Sequence, residues 1–295
     1  MKRIDIKVTF KCNNRCKFCV QGDKRKFCPD KSTEEIKRIL RAVKDKYEEV
    51  VFTGGEPTLR PDITELVSFA RNLGYTIQIQ TNGRMFTYRD FCIKMISAGA
   101  DVFAVSIHGH NAKLHDYLTS SEGSFEQSIS GIKNLLSFGK LVVTNTVINK
   151  LNYRFLPDIA NFLIKLGIPQ YQFAFPHILG TAFNNRDWII PRKKEVIPYV
   201  KKGLKIGIKQ RRTPKTEAIP YCFLDGYEDC AAEKHMIDTK CFDGQLIIED
   251  FDRWRKEEGK LKGPRCKECN YFQWCEGPWR EYPFFYGWSE FIPVK

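Results

Sequence analysis

The stretch Phe10-Lys11-Cys12-Asn13-Asn14-Arg15-Cys16-Lys17-Phe18-Cys19 decides how this chain is interpreted. It places three cysteines within eight residues, directly after residues 4–10, whose alternation of apolar and polar side chains predicts a β-strand. Three thiolates on one loop can hold three irons of a four-iron, four-sulfur cluster and leave the fourth iron open. Because an open iron can bind and cleave a small molecule, the loop indicates a reactive cluster rather than one that only carries electrons.

Zinc is the alternative occupant of such a loop, since paired cysteines in an intracellular chain commonly bind zinc. A structural zinc ion needs four ligands, and no histidine or fourth cysteine stands close enough in sequence to complete the loop. Cys28, nine residues after Cys19, is the nearest candidate, and we interpret it as a bystander thiol. The spacing therefore favours an iron–sulfur cluster.

A second motif, Thr53-Gly54-Gly55-Glu56-Pro57-Thr58, follows a second apolar run at residues 50–52. Together with the spacing Cys-x3-Cys-x2-Cys, it resembles the signature of the radical S-adenosylmethionine (SAM) superfamily. The resemblance implies that Cys12, Cys16 and Cys19 bind a 4Fe-4S cluster whose open iron is chelated by SAM.

The same resemblance gives the second motif a role in binding SAM. In the family this motif offers backbone carbonyls and a carboxylate to the methionine amino group, which implies that role for Gly54, Gly55 and Glu56. Glycines let a backbone approach a ligand without a Cβ in the way, and Pro57 fixes the turn. An ordinary strand-to-helix turn is the structural alternative.

Strand and helix patterns alternate regularly from residue 4 to about residue 177. Strands are predicted at 4–10, 50–52, 76–80, 102–107, 141–148 and 171–175, and helices at 33–47, 61–73, 89–98, 125–138 and 155–166. Strands separated by helices predict a parallel α/β sheet, since parallel neighbours need crossover connections. We expect a partial (β/α)6 TIM-like barrel; a flat doubly wound sheet is the alternative, and in both folds ligands bind at the C-terminal ends of the strands.

Four polar residues near predicted strand ends are candidates to contact SAM. By resemblance, a hydroxyl at the end of the fourth strand and an amide on the fifth commonly face SAM, which indicates Ser106 and Asn145. Thr81 and Asn82 on the third strand are weaker candidates, because Asn-Gly is itself a strong turn former.

Two histidines, His108 and His110, follow the fourth predicted strand. They are candidates to face the substrate, or they are hydrogen-bonded structural residues.

A second cysteine group, Cys266, Cys269 and Cys275, has the spacing Cys-x2-Cys-x5-Cys. It resembles the C-terminal extension of the SPASM and twitch subgroups, whose cysteines hold auxiliary iron–sulfur clusters. The full SPASM pattern continues with Cys-x3-Cys, and Trp279 stands at that last position here. We therefore expect one auxiliary 4Fe-4S cluster instead of two.

A single auxiliary cluster with full protein ligation needs a fourth thiolate from elsewhere in the chain. Cys222 is the first choice, followed by Cys241 and then Cys230. Zinc remains the alternative occupant, since four cysteines also form an ordinary structural zinc site.

Length and composition fit one barrel-sized domain with a small appendage, at 295 residues and 42% hydrophobic content. We divide the chain into a core barrel (1–180), a connecting segment (181–214) and a small C-terminal Cys-rich iron–sulfur domain (215–295). No apolar stretch has the length of a membrane span and no signal peptide is apparent, so no membrane association is expected. The 11 clustered cysteines suggest metal binding in a reducing cytoplasm.

The resemblance implies an oxidoreductase-type enzyme that reductively cleaves SAM to a 5′-deoxyadenosyl radical and abstracts hydrogen from a substrate. A peptide or protein is the first choice of substrate, and a small nucleotide-like molecule, as in molybdopterin-precursor synthases, is the second. The electron would come from a reductant such as ferredoxin or flavodoxin. The net charge of +13 also permits contact with nucleic acid, and a non-catalytic metal module that binds nucleic acid is the alternative of another class.

Overall fold

One curved nine-stranded sheet organises residues 2–295, which are the residues that the computed structural model describes. The strands are β1 (Arg3–Thr9), β2 (Glu49–Gly54), β3 (Thr76–Thr81), β4 (Val102–Ser106), β5 (Leu141–Val147), β6 (Gln170–Ala174), β7 (Thr213–Glu217), β8 (Thr239–Asp243) and β9 (Leu246–Ile248). The helices are α1 (Lys24–Phe27), α2 (Thr33–Val43), α3 (Ile63–Asn72), α4 (Arg89–Ala98), α5 (Ala112–Thr119), α6 (Ser124–Ser137), α7 (Leu156–Lys165), α8 (Gly180–Asn184), α9 (Arg186–Ile189), α10 (Lys193–Lys209), α11 (Phe251–Trp254) and α12 (Glu281–Tyr286).

The strand order is β7-β6-β5-β4-β3-β2-β1-β8-β9, and neighbours are parallel except β9, which runs antiparallel to β8. Helices connect the strands of the β1–β6 run, as expected for right-handed crossover units. The six predicted strands are present within a residue or two, and the α/β class with a TIM-like partial barrel is confirmed. Three further strands, β7 to β9, extend the same sheet beyond the predicted six.

The two faces of the sheet differ in polarity because side chains alternate along each strand. On β1, Ile4 and Ile6 are fully buried under the helices. The intervening Asp5 and Lys7 lie on the inner face of the barrel. Further round the sheet, one polar row crosses this inner face in register, through Ser106, Asn145, Gln172 and Lys215. The barrel interior is therefore polar, whereas the outer face forms the core.

The capping of α2 follows the sequence closely. The Ser32 hydroxyl accepts the backbone N–H of Glu35 at 3.1 Å, as predicted for an N-cap serine. The Glu35 carboxylate binds Lys31 instead of returning to the Ser32 backbone, so half of the capping box forms.

Helix α10 runs for 17 residues through the predicted connecting segment and contains Pro198. It packs against α7 and the outer face of β6, and Gly203 and Gly207 allow the approach of Phe173 and Tyr171. Residues after β7 form mostly turns and short helices, apart from the hairpin of β8 and β9. Within residues 2–295, no helix has both the length and the apolar character that a membrane crossing requires.

Candidate active site

The cysteine loop begins where β1 ends, at the C-terminal edge of the parallel strands. Cys12, Cys16 and Cys19 are all partly buried, and none of the three forms a disulfide within residues 2–295. Burial raises the thiol pKa of Cys16, and the neighbouring Cys19 and Cys12 raise it further. Burial also raises the pKa of Cys12. Three thiolates can share this loop only if a positive group balances them, and the irons of a cluster would supply that charge.

Backbone hydrogen bonds fix the path of the loop. The N–H groups of Arg15 and Lys17 donate to the carbonyls of Thr119 and Leu118 at 2.8 and 3.0 Å. On the other side, the backbone N–H of Thr181 donates to the Cys19 carbonyl at 2.9 Å. The loop is thus held between the end of α5 and the start of α8.

Asparagine and arginine side chains that follow β3 make a second set of contacts with the loop. Asn82 Nδ2 donates to Asn13 Oδ1 at 2.7 Å and lies 3.9 Å from Cys12 Sγ. Arg84 Nη1 donates to the Asn13 carbonyl at 2.6 Å and to Asn14 Oδ1 at 2.8 Å. The cysteine and glycine motifs do not predict Asn13, Asn14 and Arg84 as site residues, although the pair of asparagines lies within the cysteine motif itself.

The glycines of the second motif pack against the cysteine loop. A Cβ on Gly54 would lie 2.2 Å from the Thr9 carbonyl oxygen, and one on Gly55 would lie 2.3 Å from that of Lys11. Gly54 has a φ of +128°, which L side chains rarely adopt. The motif predicts that these glycines approach a ligand, whereas the close approach in the structure is to the backbone of residues 9–11. This approach joins the two motifs.

Two backbone hydrogen bonds complete that junction. Gly55 N–H donates to the Thr9 carbonyl, and Glu56 N–H donates to the Lys11 carbonyl, both at 2.7 Å. Pro57 is buried at the start of the following turn, as its fixed φ allows.

Glu56 is fully buried, and both carboxylate oxygens accept hydrogen bonds from the chain. Oε1 accepts from the Thr58 backbone and hydroxyl at 3.2 and 2.6 Å and from the Thr81 hydroxyl at 2.7 Å. Oε2 accepts from the backbone N–H of Asn82 at 2.7 Å. Burial raises the carboxyl pKa, and these donors oppose the shift. Glu56 therefore links the turn Gly54-Gly55-Glu56-Pro57, called here the GGEP turn, to the end of β3.

Ser106 and Asn145 are paired across β4 and β5. Asn145 Oδ1 is buried and has no hydrogen-bond partner among residues 2–295. An acceptor that is buried and unpaired inside a polar cavity is suited to a ligand donor.

The two histidines after β4 have structural contacts. His108 Nδ1 accepts the Val147 backbone N–H at 3.3 Å, and its ring lies against Phe18 and His115. Burial holds the pKa of His108 well below its ordinary value, so the ring is neutral. His110 contacts Asn111 and packs against Phe155. These contacts fit the interpretation of His108 and His110 as structural residues.

Gln172 and Glu217 form a pair on the inner face that the sequence does not reveal. Gln172 Nε2 donates to Glu217 Oε2 at 2.7 Å, at the C-terminal end of β7. Burial raises the carboxyl pKa of Glu217, and the charge of Glu233 raises it further. A carboxyl held near the barrel opening in this way can accept a proton or a hydrogen bond from a ligand.

The C-terminal cysteines converge on one recess beside the barrel. Its lining includes Cys222, Cys266, Cys269 and Cys275 together with prolines and Phe291. Burial raises the pKa of Cys222 to about 12, and Cys275, Cys266 and Cys269 add to the rise. The first choice of fourth thiol from the sequence thus lies with the other three.

The other two fourth-ligand candidates lie elsewhere. Cys241 is in the middle of β8, opposite Asp5, and Cys230 is buried near Lys215. Neither contributes to the lining of the recess.

Buried charges fix the end of the recess that carries Cys275. Lys260 Nζ donates to Glu233 Oε1 and Glu276 Oε2 at 2.7 Å each, and Arg255 binds Glu276 through Nη2 and Nε at 2.7 and 3.1 Å. Lys260 and Arg255 are 1% and 2% exposed, so these three ion pairs are shielded from water.

Trp279, at the position of the absent last cysteine, is buried against the barrel. Its ring lies 4.0 Å from that of His177, which follows β6. The hydroxyl of the buried Tyr282 accepts the backbone N–H of Lys193 at 2.7 Å. These aromatics join the C-terminal part to the barrel, whereas Trp274 and Phe284 are exposed.

Two all-thiolate donor sets lie in the structure, three cysteines on the N-terminal loop and four around the recess. Thiolates are the ligands that iron–sulfur clusters take, and three of them leave one iron of a four-iron cluster open, whereas four ligate it fully. The chemistry of both donor sets therefore fits such clusters, and four thiolates also fit zinc. Across residues 2–295, no three His, Cys, Asp or Glu side chains lie close enough to hold one metal ion.

Curated relatives cover part of this chain. An AdoMet-dependent heme synthase from Oleidesulfovibrio alaskensis is 32% identical over 166 residues, 54% of this chain and 42% of the relative. An Fe-coproporphyrin III synthase from Methanosarcina barkeri is 29% identical over 65% of this chain and 49% of the relative. A probable GTP 3′,8-cyclase from Saccharolobus islandicus is 29% identical over 72% of this chain and 67% of the relative. The chain thus spans about half the length of the first two of these relatives.

Solved structures share the fold over nearly the whole chain. SuiB from Streptococcus suis, bound to the precursor peptide SuiA, matches with a TM-score of 0.66 at 18% identity, covering 94% of this chain and 71% of SuiB. Native anSMEcpe with bound AdoMet matches with a TM-score of 0.69 at 13% identity, covering 95% of this chain and 90% of anSMEcpe. At these identities the likeness establishes the fold.

The family model described as the radical SAM superfamily matches residues 6–163, more than half of the chain. This match includes both the cysteine loop and the GGEP turn, and it agrees with the fold. The chain therefore belongs to the radical SAM superfamily and is an enzyme of that family.

Proposed function

We propose that this enzyme abstracts hydrogen from a peptide or protein substrate and that a second cluster in its C-terminal part takes part in the reaction. Cys12, Cys16 and Cys19 would hold the 4Fe-4S cluster that binds SAM. Cys222, Cys266, Cys269 and Cys275 would hold the auxiliary 4Fe-4S cluster. When bound, the first cluster supplies the electron that cleaves SAM to a 5′-deoxyadenosyl radical.

The observation that carries the proposal is the recess with four cysteines beside the barrel. Its cysteine spacing resembles the SPASM and twitch extensions, and a structure with this fold contains a bound precursor peptide. Residues 215–295 would form this auxiliary part, after a barrel at 1–180 and a connecting segment at 181–214, and it would share the sheet of the barrel through β7 to β9.

The chain's own residues would position the reactants. The GGEP turn, Thr81 and Asn82 would hold the methionine part of SAM next to the loop, and Ser106 and Asn145 would contact its ribose or carboxylate. The unpaired Asn145 Oδ1 supports the proposal that a ligand binds at the polar row of the inner face. The polar inner face, including Gln172 and Glu217, suits a substrate with polar backbone groups.

A nucleotide is the second candidate substrate, because a probable GTP 3′,8-cyclase is 29% identical over 72% of the chain. In either case an electron must come from a reductant such as ferredoxin or flavodoxin, in a reducing compartment such as the cytoplasm. The clustered free cysteines support that compartment.

Deuterium transfer tests the substrate class and does not require that the modified peptide be identified first. The anaerobically reconstituted enzyme is reduced with dithionite and given SAM with a fully deuterated peptide library. We expect 5′-deoxyadenosine to gain deuterium, since the hydrogen atom moves from substrate to the adenosyl carbon.

Deuterated GTP and a deuterated porphyrin are the matched alternatives in parallel reactions. Transfer from GTP alone would replace the peptide assignment with the nucleotide one. Transfer from the porphyrin alone would also contradict a peptide substrate.

A further inference from the structure

Arg25 connects the cysteine loop to α1 and lies against the loop's last cysteine. Its Nη2 is 3.8 Å from Cys19 Sγ, and its Nη1 donates to the Asn14 carbonyl at 2.7 Å. The two contacts span the loop, because Asn14 lies between Cys12 and Cys16. The guanidinium is therefore fixed at two points beside the thiols.

The third donor of this side chain has no acceptor. Arg25 Nε is buried and makes no hydrogen bond with any residue between 2 and 295. Guanidinium groups that are held in place usually have all their donors satisfied, so this one is suited to an anionic acceptor in the loop. A sulfide or thiolate of a cluster is such an acceptor.

Arg25 is flanked in α1 by two lysines that are directed elsewhere. Lys24 binds Asp243, and Lys26 is exposed. Arg25 is thus the cation of α1 that contacts a loop thiol.

From this geometry we propose that Arg25 is a positioning residue that makes the N-terminal cluster easier to reduce. Reduction adds one negative charge to the cluster, and a fixed guanidinium next to a ligand stabilises the reduced state more than the oxidised one. The inference rests on the proposed cluster at Cys12, Cys16 and Cys19, and it does not depend on the substrate.

A redox titration of the reconstituted full-length enzyme, monitored by electron paramagnetic resonance, tests it. The N-terminal cluster is identified by the change that SAM causes in its signal, since only an open iron can bind SAM. Arg25→Gln should lower the ratio of reduced to oxidised cluster about tenfold at a fixed potential, a shift of about 59 mV for one electron. Lys26→Gln is the matched control and should change the ratio less than about twofold.

Arg25→Lys separates charge from structure. It retains the charge without the two-point contact, and we expect it to bind iron and to titrate within about threefold of the wild type. If Arg25→Gln loads its cluster and titrates like the wild type, the proposal is overturned.

If Arg25→Gln does not retain iron, the Arg25→Lys variant distinguishes a role of the charge from a purely structural role. An Arg25→Lys enzyme that also loses iron would assign Arg25 a purely structural role and overturn the proposal. A wild-type enzyme without a SAM-responsive cluster would overturn both this inference and the proposed reaction, whereas failure of deuterium transfer alone would affect only the substrate.

Discussion

Glu56 Oε2 accepts the backbone N–H of Asn82 at 2.7 Å, and this bond connects the GGEP turn to the end of β3. The other carboxylate oxygen accepts three further donors, so the side chain has no unpaired oxygen. A carboxylate buried in this way orders the strand ends before any ligand binds.

Replacing Glu56 with Gln should destabilise the protein by about 2–3 kcal/mol, because an amide NH2 would face N–H and O–H donors that are buried. The measurement is the free energy of unfolding in urea. Glu65→Gln, at an exposed carboxylate on α3, is the control and should change it by less than about 0.5 kcal/mol. A loss of under about 0.5 kcal/mol in Glu56→Gln would show that the buried network contributes little.

Replacing Cys16 with Ala should abolish formation of 5′-deoxyadenosine under reducing conditions, since one iron of the cluster loses its thiolate. Chromatography of the reaction products measures it. Cys28→Ala is the matched control, because Cys28 follows the loop, and it should retain product formation. Product formation by Cys16→Ala, or its loss in Cys28→Ala, would contradict the assignment of ligands.

Replacing Cys222 with Ala should remove about half of the iron per chain and leave some SAM cleavage that is not coupled to substrate, since the auxiliary cluster would lack a ligand. Iron and zinc analysis of the purified protein measures it. Cys230→Ala and Cys241→Ala are the controls, because both thiols lie outside the recess. Stoichiometric zinc in place of the lost iron would instead support the zinc alternative.

Stability should fall as the solution is acidified below pH 6.5, because two buried histidines are neutral in the folded state. Burial lowers the pKa of His115 to about 4 from 6.5, and it lowers that of His108 as well. Between pH 6.5 and pH 4 the unfolded chain binds more protons than the folded protein. The contribution of the neutral histidines to the free energy of unfolding is therefore fully present above pH 6.5 and is lost as the pH falls toward 4. From pH 7.5 to 5.5 we expect a loss of about 1 kcal/mol for His115.

Urea unfolding at both pH values measures this loss. His115→Asn can keep an acceptor for the His108 backbone N–H that His115 Nδ1 now accepts at 3.2 Å, and it should show a weaker dependence on pH. An unchanged dependence in that variant would assign the effect to other groups.

Replacing Glu217 with Gln should leave SAM cleavage intact but reduce deuterium transfer from substrate at least about tenfold, because the carboxyl lies on the inner face at β7, six strands along the sheet from β1, where the cysteine loop begins. Mass spectrometry of 5′-deoxyadenosine measures both quantities in one reaction. Glu195→Gln, at an exposed position on α10, is the control. Equal transfer by both variants would show that Glu217 does not contact the substrate.

The first six strands can be predicted because their signal is local. Alternation of apolar and polar residues, with glycine turns between, identifies β1 to β6 within a residue or two. β7 has the sequence Thr213-Pro-Lys-Thr-Glu217, whose proline and charged residues are atypical of a strand. In the sheet, Lys215 and Glu217 lie on the polar inner face, whereas Pro214 and Thr216 are buried on the other face, a distribution that the sequence alone does not show.

The candidate site is predictable where spacing alone is informative. The two cysteine groups and the GGEP motif are identified from their patterns, whereas Arg25, Arg84 and Glu217 belong to no motif. Their roles arise from contacts between residues distant in sequence, such as the bond from Arg84 to the Asn13 carbonyl. The fourth cysteine of the recess can be ranked from the sequence, but only the fold brings Cys222 next to the others.

The two hydrogen bonds from Gly55 and Glu56 to the carbonyls of Thr9 and Lys11 join the cysteine loop and the GGEP turn, the proposed sites of the cluster and of SAM, into one rigid unit. Occupancy of either half then favours order in the other, and this coupling is reciprocal. An enzyme saturated with SAM should therefore hold its iron more tightly in equilibrium competition with a chelator, by the same factor by which the metal raises the affinity for SAM.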